Sequence, residues 1–567
     1  MTKTYFWLYF LTLSGLIFST KNAIAQNYQP SDRPPVADNT LGTQVSGNGN
    51  NFDITGGLNR GQTLFHSFQD FSVPTNGAAN FANPAGIRDM ISRVTGGSFS
   101  DINGRINSNG ANFFLINPNG IVFGSNVQLN VGRAFMASTA NGINLVDAGG
   151  RAITFGTNPN GDAPLLTISP NVFFNVSSLN MGGGNGQISN FGKLQTNNPN
   201  QYIGLIGGNV SMNGGIIEDP GGRVELGGLS TPGIVRLDVE GNNLRAQFPT
   251  NVARGDVSLT KQAKVNVAGA GGGDIAINAR NIEILGGSRL RGGMEEGLGL
   301  PEAVAGDIKL NATGEIVVGS NSSILNNVGP NSKGQGGNTT IEAGSLSLQD
   351  DAKFSTTTFG QGNAGNVTVT AKDAVSLTGE KTTIVTSVEA GGVGNGGNIK
   401  IDADSLSLQD NAQLTTSTAG QGKAGNVTLT AKDAVSLINA TVFTSVEAGG
   451  VGNGGDIKID AGSLSVQDSA QLSTLIREAS DTKPPGRGNA GDISGRRGQF
   501  GSLLGSDVKP GAKGDGGNIT VDAGSFSIRN GAFVVAGTFG EGNAGTIKVN
   551  ANDFVNISGT NGIFSSA

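Results

Sequence analysis

Few residues in this chain are equipped for chemistry, and most of those recur. Cysteine is absent and His66 is the only histidine. No disulfide, thiolate metal site or cysteine nucleophile can form. A histidine-based triad would have to be built on His66, with no serine motif to support it. Flanked by Phe65 and Phe68, His66 reads as a packed or capping residue. Carboxylates clustered in a groove would suit glycoside chemistry, but Asp402, Asp404, Asp410, Asp460 and Asp468 return at repeat positions. A single catalytic centre does not recur with each repeat, so these read as corner and solvated-surface residues. Glycine strings such as Gly47-Asn48-Gly49 and Gly269 to Gly273 lack the Lys-Ser/Thr pair of a phosphate loop and the regular aspartates of calcium solenoids. Arg254-Gly255-Asp256 is an integrin-type tripeptide, unsurprising by chance in a chain this rich in glycine. No catalytic residue, metal ligand or cofactor is assigned.

The elements that must position any site are strands. Glycine makes up 93 of 567 residues, 14% are charged and 6% are aromatic. No glycine recurs at every third position, which excludes collagen, and Ile, Val and Leu are too frequent for disorder. What remains is a chain of many short strands and tight turns. The net charge of −6 is thinly spread and the isoelectric point is near 5.1. With no basic stripe, nucleic acid is excluded as a partner.

A repeat dominates the C-terminal half. Gly362-Asn363-Ala364-Gly365-Asn366-Val367-Thr368-Val369-Thr370-Ala371 returns at Gly422 to Ala431, and Gly394 to Ala403 returns at Gly452 to Ala461. Each unit runs from a glycine turn through Asn or Asp into an alternating strand, then Ala, then a second alternating strand. Alternation puts Val367, Val369 and Ala371 on one face, which a single unit cannot bury but a stack can. Asn366, Asn398, Asn426, Asp456 and Asn518 would then line one corner, with side-chain amides bonding along the stack. The fold class is therefore all-β, a right-handed parallel β-helix with an N-terminal capping domain. At about 4.8 Å per strand and some 20 coils, the rod is on the order of 100 Å long.

The N-terminus carries Lys3, an apolar run from Tyr5 to Phe18, and Ala23-Ile24-Ala25 before Gln26. This reads as a signal peptide over 1–25 cleaved between Ala25 and Gln26, since the apolar run is short of the roughly 20 residues that span a bilayer. Residues 26–150 form the next unit, 151–330 a less regular continuation, and 331–567 repeats of 28–32 residues. The stretch 476–513, with Pro484-Pro485 and Arg496-Arg497, reads as a projecting loop. The chain stops at Ala567, early in a repeat and without a polar cap. That leaves open a fragment or a last coil protected in another way.

The densest local signal is Phe113-Phe114-Leu115-Ile116-Asn117-Pro118-Asn119-Gly120-Ile121-Val122-Phe123-Gly124. Pro118 fixes its φ and keeps Asn117 out of the helical region, while Asn119-Gly120 tolerates positive φ. The result is a tight turn between two buried strands. With Ile91-Ser92-Arg93-Val94-Thr95-Gly96, Ile102-Asn103-Gly104, Leu64 to Phe68 and Phe81-Ala82-Asn83-Pro84, this region resembles the N-terminal secretion domain of the filamentous haemagglutinin family. Some members carry an earlier Asn-Pro-Asn-Leu, for which the nearest candidate here is Asn83-Pro84-Ala85-Gly86.

The resemblance implies the exported partner of two-partner secretion. Its partners would be the Sec translocon and an outer-membrane β-barrel transporter that reads Asn117, Pro118, Asn119, Gly120 and Ile121, with Asn83 and Pro84 as a secondary element. The product would be a non-enzymatic adhesin on the outside of a Gram-negative-type envelope, reached through the periplasm, with an unknown cell-surface or carbohydrate ligand. The alternatives are a polysaccharide-degrading β-helix and a structural matrix protein.

Overall fold

The computed structural model of the chain describes residues 28–147, 149–166, 172, 174–182, 186–240, 243–496, 499–500, 503–528, 533–557 and 562–565. The signal segment and its Ala25/Gln26 cleavage site lie outside the described residues.

Alternation along each repeat is read out as pleat. Val367, Val369 and Ala371 are buried, while Thr368 and Thr370 face outward. Each strand pairs in parallel with its counterparts one coil away: Val367 sits opposite Thr339 on one side and Ile399 on the other. Repetition of this step builds, among the described residues, a 28-stranded and a 13-stranded sheet, the faces of a parallel β-helix. The eleven-residue strand Ile399–Gln409 bends where its register shifts after Ala403, and Gln413–Thr418 then crosses to the second sheet.

One apolar core runs from Ile54 to Ala536 along the axis. Its N-terminal end is filled by Phe68, Phe71, Phe81, Phe113, Phe123 and Phe135, with successive ring centroids 4.9–6.5 Å apart. Beyond them the filling is mostly aliphatic. Each fully buried Val, Leu or Ile contributes about 1.5–3 kcal/mol to the stack.

The corners are held by polar ladders. The Oδ1 of Asn338, Asn366, Asn398, Asn426, Asp456 and Asp492 each accepts from the backbone N–H one coil on, at 2.8–3.0 Å. The recurring bond therefore runs from backbone N–H to side-chain oxygen, and a side-chain amide also donates along the ladder from Asn366 to Asn338, at 3.1 Å. Since only an acceptor is required, Asp replaces Asn freely. A second ladder is internal: Thr356, Thr386, Thr416, Thr444 and Thr474 are buried, and their hydroxyls donate to the carbonyls of Gly365, Gly397, Gly425, Gly455 and Gly491. Those glycines are required by close stacking, because a Cβ on Gly397 would run into the Gly365 carbonyl oxygen.

Two features leave the solenoid. At the N-terminus the hairpin Thr43–Asn48/Asn51–Gly56 pairs antiparallel and covers the first coil. After Ala134–Ser138 the chain leaves to form a five-stranded antiparallel sheet from Gly142–Asp147, Ala152–Gly156, Phe174–Met181, Gly233–Glu240 and Asn243–Gln247. This sheet packs its own core against the outer face of the coils, through Phe65, Phe114, Met136 and Phe155.

The expected loop at 476–513 is largely not a loop. Ile493–Arg496, Gln499–Phe500 and Leu503–Val508 continue both sheets in register. Gly488 and Gly491 preserve the corner of the repeat, and the prolines belong to an inserted excursion over 477–486 with its own Ser480–Lys483 bridge. That insertion masked the underlying period.

Candidate functional site

The Asn117–Gly120 turn joins the strands Asn112–Ile116 and Ile121–Phe123. Gly120 N donates to Asn117 O at 3.1 Å, closing the turn, and Asn117 Oδ1 accepts from Asn119 N at 3.0 Å. Of the two residues suited to positive φ, Gly120 adopts it, at 121°. Asn117 is fully buried, and its Nδ2 donates to Ser98 O and Ser100 Oγ at 3.0 Å. The side chain therefore fastens this coil to the one beneath it. Asn119 is exposed, and its Nδ2 reaches Gly96 O at 2.7 Å. Pro118 and Asn119 are the parts of the motif open to solvent; Gly120 and Ile121 are buried.

The coil above the turn comes from far along the chain. Gly186 N donates to Pro118 O, Ile121 N to Gln187 O, and Ile121 pairs with Ile188. Likewise Ala134–Ser138 takes Tyr202–Gly207 as its neighbour. The turn is thus enclosed only after the first three strands of the antiparallel sheet, between Gly142 and Met181, have been made. Residue 150 lies within that excursion, in the turn between Gly142–Asp147 and Ala152–Gly156. The secondary candidate lies elsewhere. Asn83 and Pro84 occupy a turn between Ala78–Phe81 and Asp89–Val94, where Asn83 Nδ2 donates to Asn109 O at 2.9 Å.

The residues just after the expected cleavage site run beside the motif. Tyr28 donates to Asp101 Oδ1 at 2.5 Å and stacks on Phe191 with centroids 4.9 Å apart. Ser31 N donates to the other Asp101 oxygen, and Arg33 lies over Phe99 while donating to its carbonyl. Burial pushes the Asp101 carboxyl up, against the lowering pull of these bonds. A Cβ on Gly124, just beyond the motif, would run into the Asn103 side chain and then the Tyr28 hydroxyl.

A buried arginine ties cap, coil and excursion together. Arg93 is fully buried; its guanidinium forms a bidentate pair with Asp162, at 2.5 and 2.6 Å, and donates to Gly156 O, Ser67 Oγ and Thr40 Oγ1. It also lies 4.6 Å from the Phe155 ring centroid. Burial pushes Asp38 up, but hydrogen bonds from Ser67, Thr40 and Thr95 outweigh it and hold the carboxyl below its ordinary value. The residues around Arg93 carry no local sign of this role. Its partner Asp162 is 69 residues away, and no local pattern links them.

Two other candidates are settled by burial. Arg254 is buried and donates to Asn311, while Asp256 is taken by Arg280 at 2.5 and 2.9 Å. The tripeptide is not presented for recognition. His66 is buried with Nε2 unpartnered, and desolvation lowers it to about 4.

Residues 34–277 match the family model described as TPS secretion domain, that is, two-partner secretion. This segment is a two-partner secretion domain. The secretion domain takes in the cap, the Asn117 turn and the whole antiparallel excursion. A domain of this kind indicates an exoprotein of two-partner secretion, a class secreted through the outer membrane by a transporter partner. Among solved structures it is similar to the HMW1 secretion domain from Haemophilus influenzae, at 16% identity over 76% of this chain and 98% of that one, with a TM-score of 0.42. It is also similar to the filamentous hemagglutinin secretion domain, at 15% identity over 59% of this chain and 95% of that one, with a TM-score of 0.27. No curated protein matches it.

Proposed function

We propose that this protein is a non-enzymatic adhesin whose secretion domain addresses it to a dedicated outer-membrane β-barrel transporter. A Sec signal over residues 1–25, cleaved between Ala25 and Gln26, would bring it to the periplasm. The remaining coils would assemble outside as the binding surface. The observation that carries this reading is the match at residues 34–277, continuous with a solenoid that shares its core. Each finished coil offers a strand edge to the next, so folding on the outer side can draw the chain across without another energy source. Pro118 and Asn119 would be read directly by the transporter. Asn117, Gly120 and Ile121 would act by holding that turn, and Asn83-Pro84 would serve as a second contact.

Secretion by cells carrying or lacking the transporter tests the pathway. Export confined to the carrier cells is expected, and equal export without it overturns the assignment. Attachment of the exporting cells to surfaces tests the adhesive role separately.

A further inference from the structure

Asp219-Pro220 is the only aspartyl-prolyl bond in the chain, and the fold has taken its carboxyl out of water. Asp219 follows the strand Ile216–Glu218 at a corner of the secretion domain, fully buried and with Oδ2 unpartnered. Strand register carries Glu218 through Asn266, Arg291 and Leu325 to Ser355, so Asp219 takes the inward place that Thr356 fills in a later coil. Thr356 donates a proton there to a corner carbonyl, which an aspartate can do only in its neutral form.

The side chain is folded back over its own turn. A Cβ on Gly222 would meet Oδ2 and Cγ of Asp219 before anything else, so the carboxyl lies directly against the turn backbone. Oδ1 accepts from Gln201 N at 3.3 Å, which leaves Oδ2 free. The carbonyl oxygen of Asp219 accepts from Gly222 N at 2.9 Å. That donor is already aimed where negative charge develops when a carbonyl is attacked. The leaving side is a prolyl nitrogen, which has no N–H and anchors no sheet bond.

The groups bonded to Asp219 from the adjoining coils are uncharged, Gln201 on one side and Asn266 on the other. Arg223, in the same corner, is taken by Glu225 and Asp274. Desolvation therefore prevails and raises the carboxyl to about 7, so it keeps its proton in mildly acidic water.

We propose that the chain cleaves itself between Asp219 and Pro220. Oδ2 bonds to the carbonyl carbon of its own residue, closing a five-membered anhydride. The C–N bond to Pro220 breaks, and the carboxyl proton passes to the prolyl nitrogen. Water reaching the half-buried Pro220 and Gly221 then opens the anhydride. The products are a chain ending at Asp219 and one beginning at Pro220, so the net reaction is hydrolysis. Strands on both sides of the break stay paired, Ile216–Glu218 with Lys264–Asn266 and Arg223–Gly228 with Asp274–Ala279. The nicked rod therefore stands, with the Asn117 turn held to the later coils by strand pairing alone.

The test is incubation of the full folded chain at pH 6 for several days. Denaturing electrophoresis with mass spectrometry should show the two products, formed at a rate independent of protein concentration. Hydroxylamine should trap the anhydride as a hydroxamate on Asp219. In urea the carboxyl returns to its ordinary range, and cleavage at pH 6 should slow about a hundredfold. Asp219→Asn, shown to be folded by its thermal melt, should stay whole. A parent chain that stays whole, cleavage as fast in urea as in the fold, failure to trap the hydroxamate, or the same products from Asp219→Asn overturns the proposal.

Discussion

At the residue scale, the secretion motif separates into two jobs. Asn117 satisfies two acceptors on the coil beneath it from a fully buried position, so removing it leaves buried polar groups without partners. Asn117→Ala should cost about 1–3 kcal/mol in denaturant unfolding. Asn119→Ala, at an exposed residue, should cost less than about 0.5 kcal/mol. Export assays with the second variant then report on recognition rather than on folding.

Two buried titratable groups bias stability in opposite directions. His66 titrates at about 4 in the fold against an ordinary 6.5. Above 6.5 its contribution is fully present; as pH falls from 6.5 toward 4 the unfolded chain takes the proton first, and about 3 kcal/mol is lost. Asp219 is fully buried, with Oδ2 unpartnered, and desolvation raises it to about 7 from 3.8. Below 3.8 both states are protonated; as pH rises from 3.8 to 7 the unfolded chain ionises first, and about 4 kcal/mol is lost. Asp219→Asn should therefore match the parent near pH 4 and exceed it in stability at pH 8, as read by thermal melts across that range. His66→Phe should flatten the acid limb.

At the scale of the element, a repeat coil such as Thr339–Ala343, Ser345–Gln349 and Lys353–Ser355 has three strand segments closed by one glycine corner. The corner works because a buried threonine donates to a glycine carbonyl while an Asn or Asp oxygen receives the next coil's N–H. Thr416→Val removes the donor to Gly425 and keeps the shape, so a cost of about 1–3 kcal/mol is expected. Gly397→Ala should be worse, since the added Cβ meets a backbone oxygen that cannot move without parting two coils. Unfolding of both variants in urea checks the order. The period, the inward valines and the asparagine column were legible in the sequence because strand alternation and glycine turns are local. The threonine ladder was not, because alternation alone does not distinguish a buried hydroxyl with a partner from an outward one.

At the scale of the whole molecule, the secretion domain closes on itself through long-range pairings. Ile121 needs Ile188, Ala134–Ser138 needs Tyr202–Gly207, and Arg93 needs Asp162. A chain ended at residue 150 lacks all three partners. It should be protease-sensitive and unfold without cooperativity, whereas one ended at residue 277 should resist and melt in a single transition. Limited proteolysis with calorimetry distinguishes the two.

The sequence by itself determined the strands, their stacking and the Asn-Pro-Asn-Gly turn, since these depend on period-2 alternation and on what Pro and Gly permit in φ. It also placed the aspartates of the repeats. Only the tertiary structure decided which coil lies above the motif, that three antiparallel strands intervene before it, and that Asp402 and Asp460 border a groove while Asp410 and Asp468 shape turns. Those outcomes depend on contacts between residues tens of positions apart, and no local pattern carries that information.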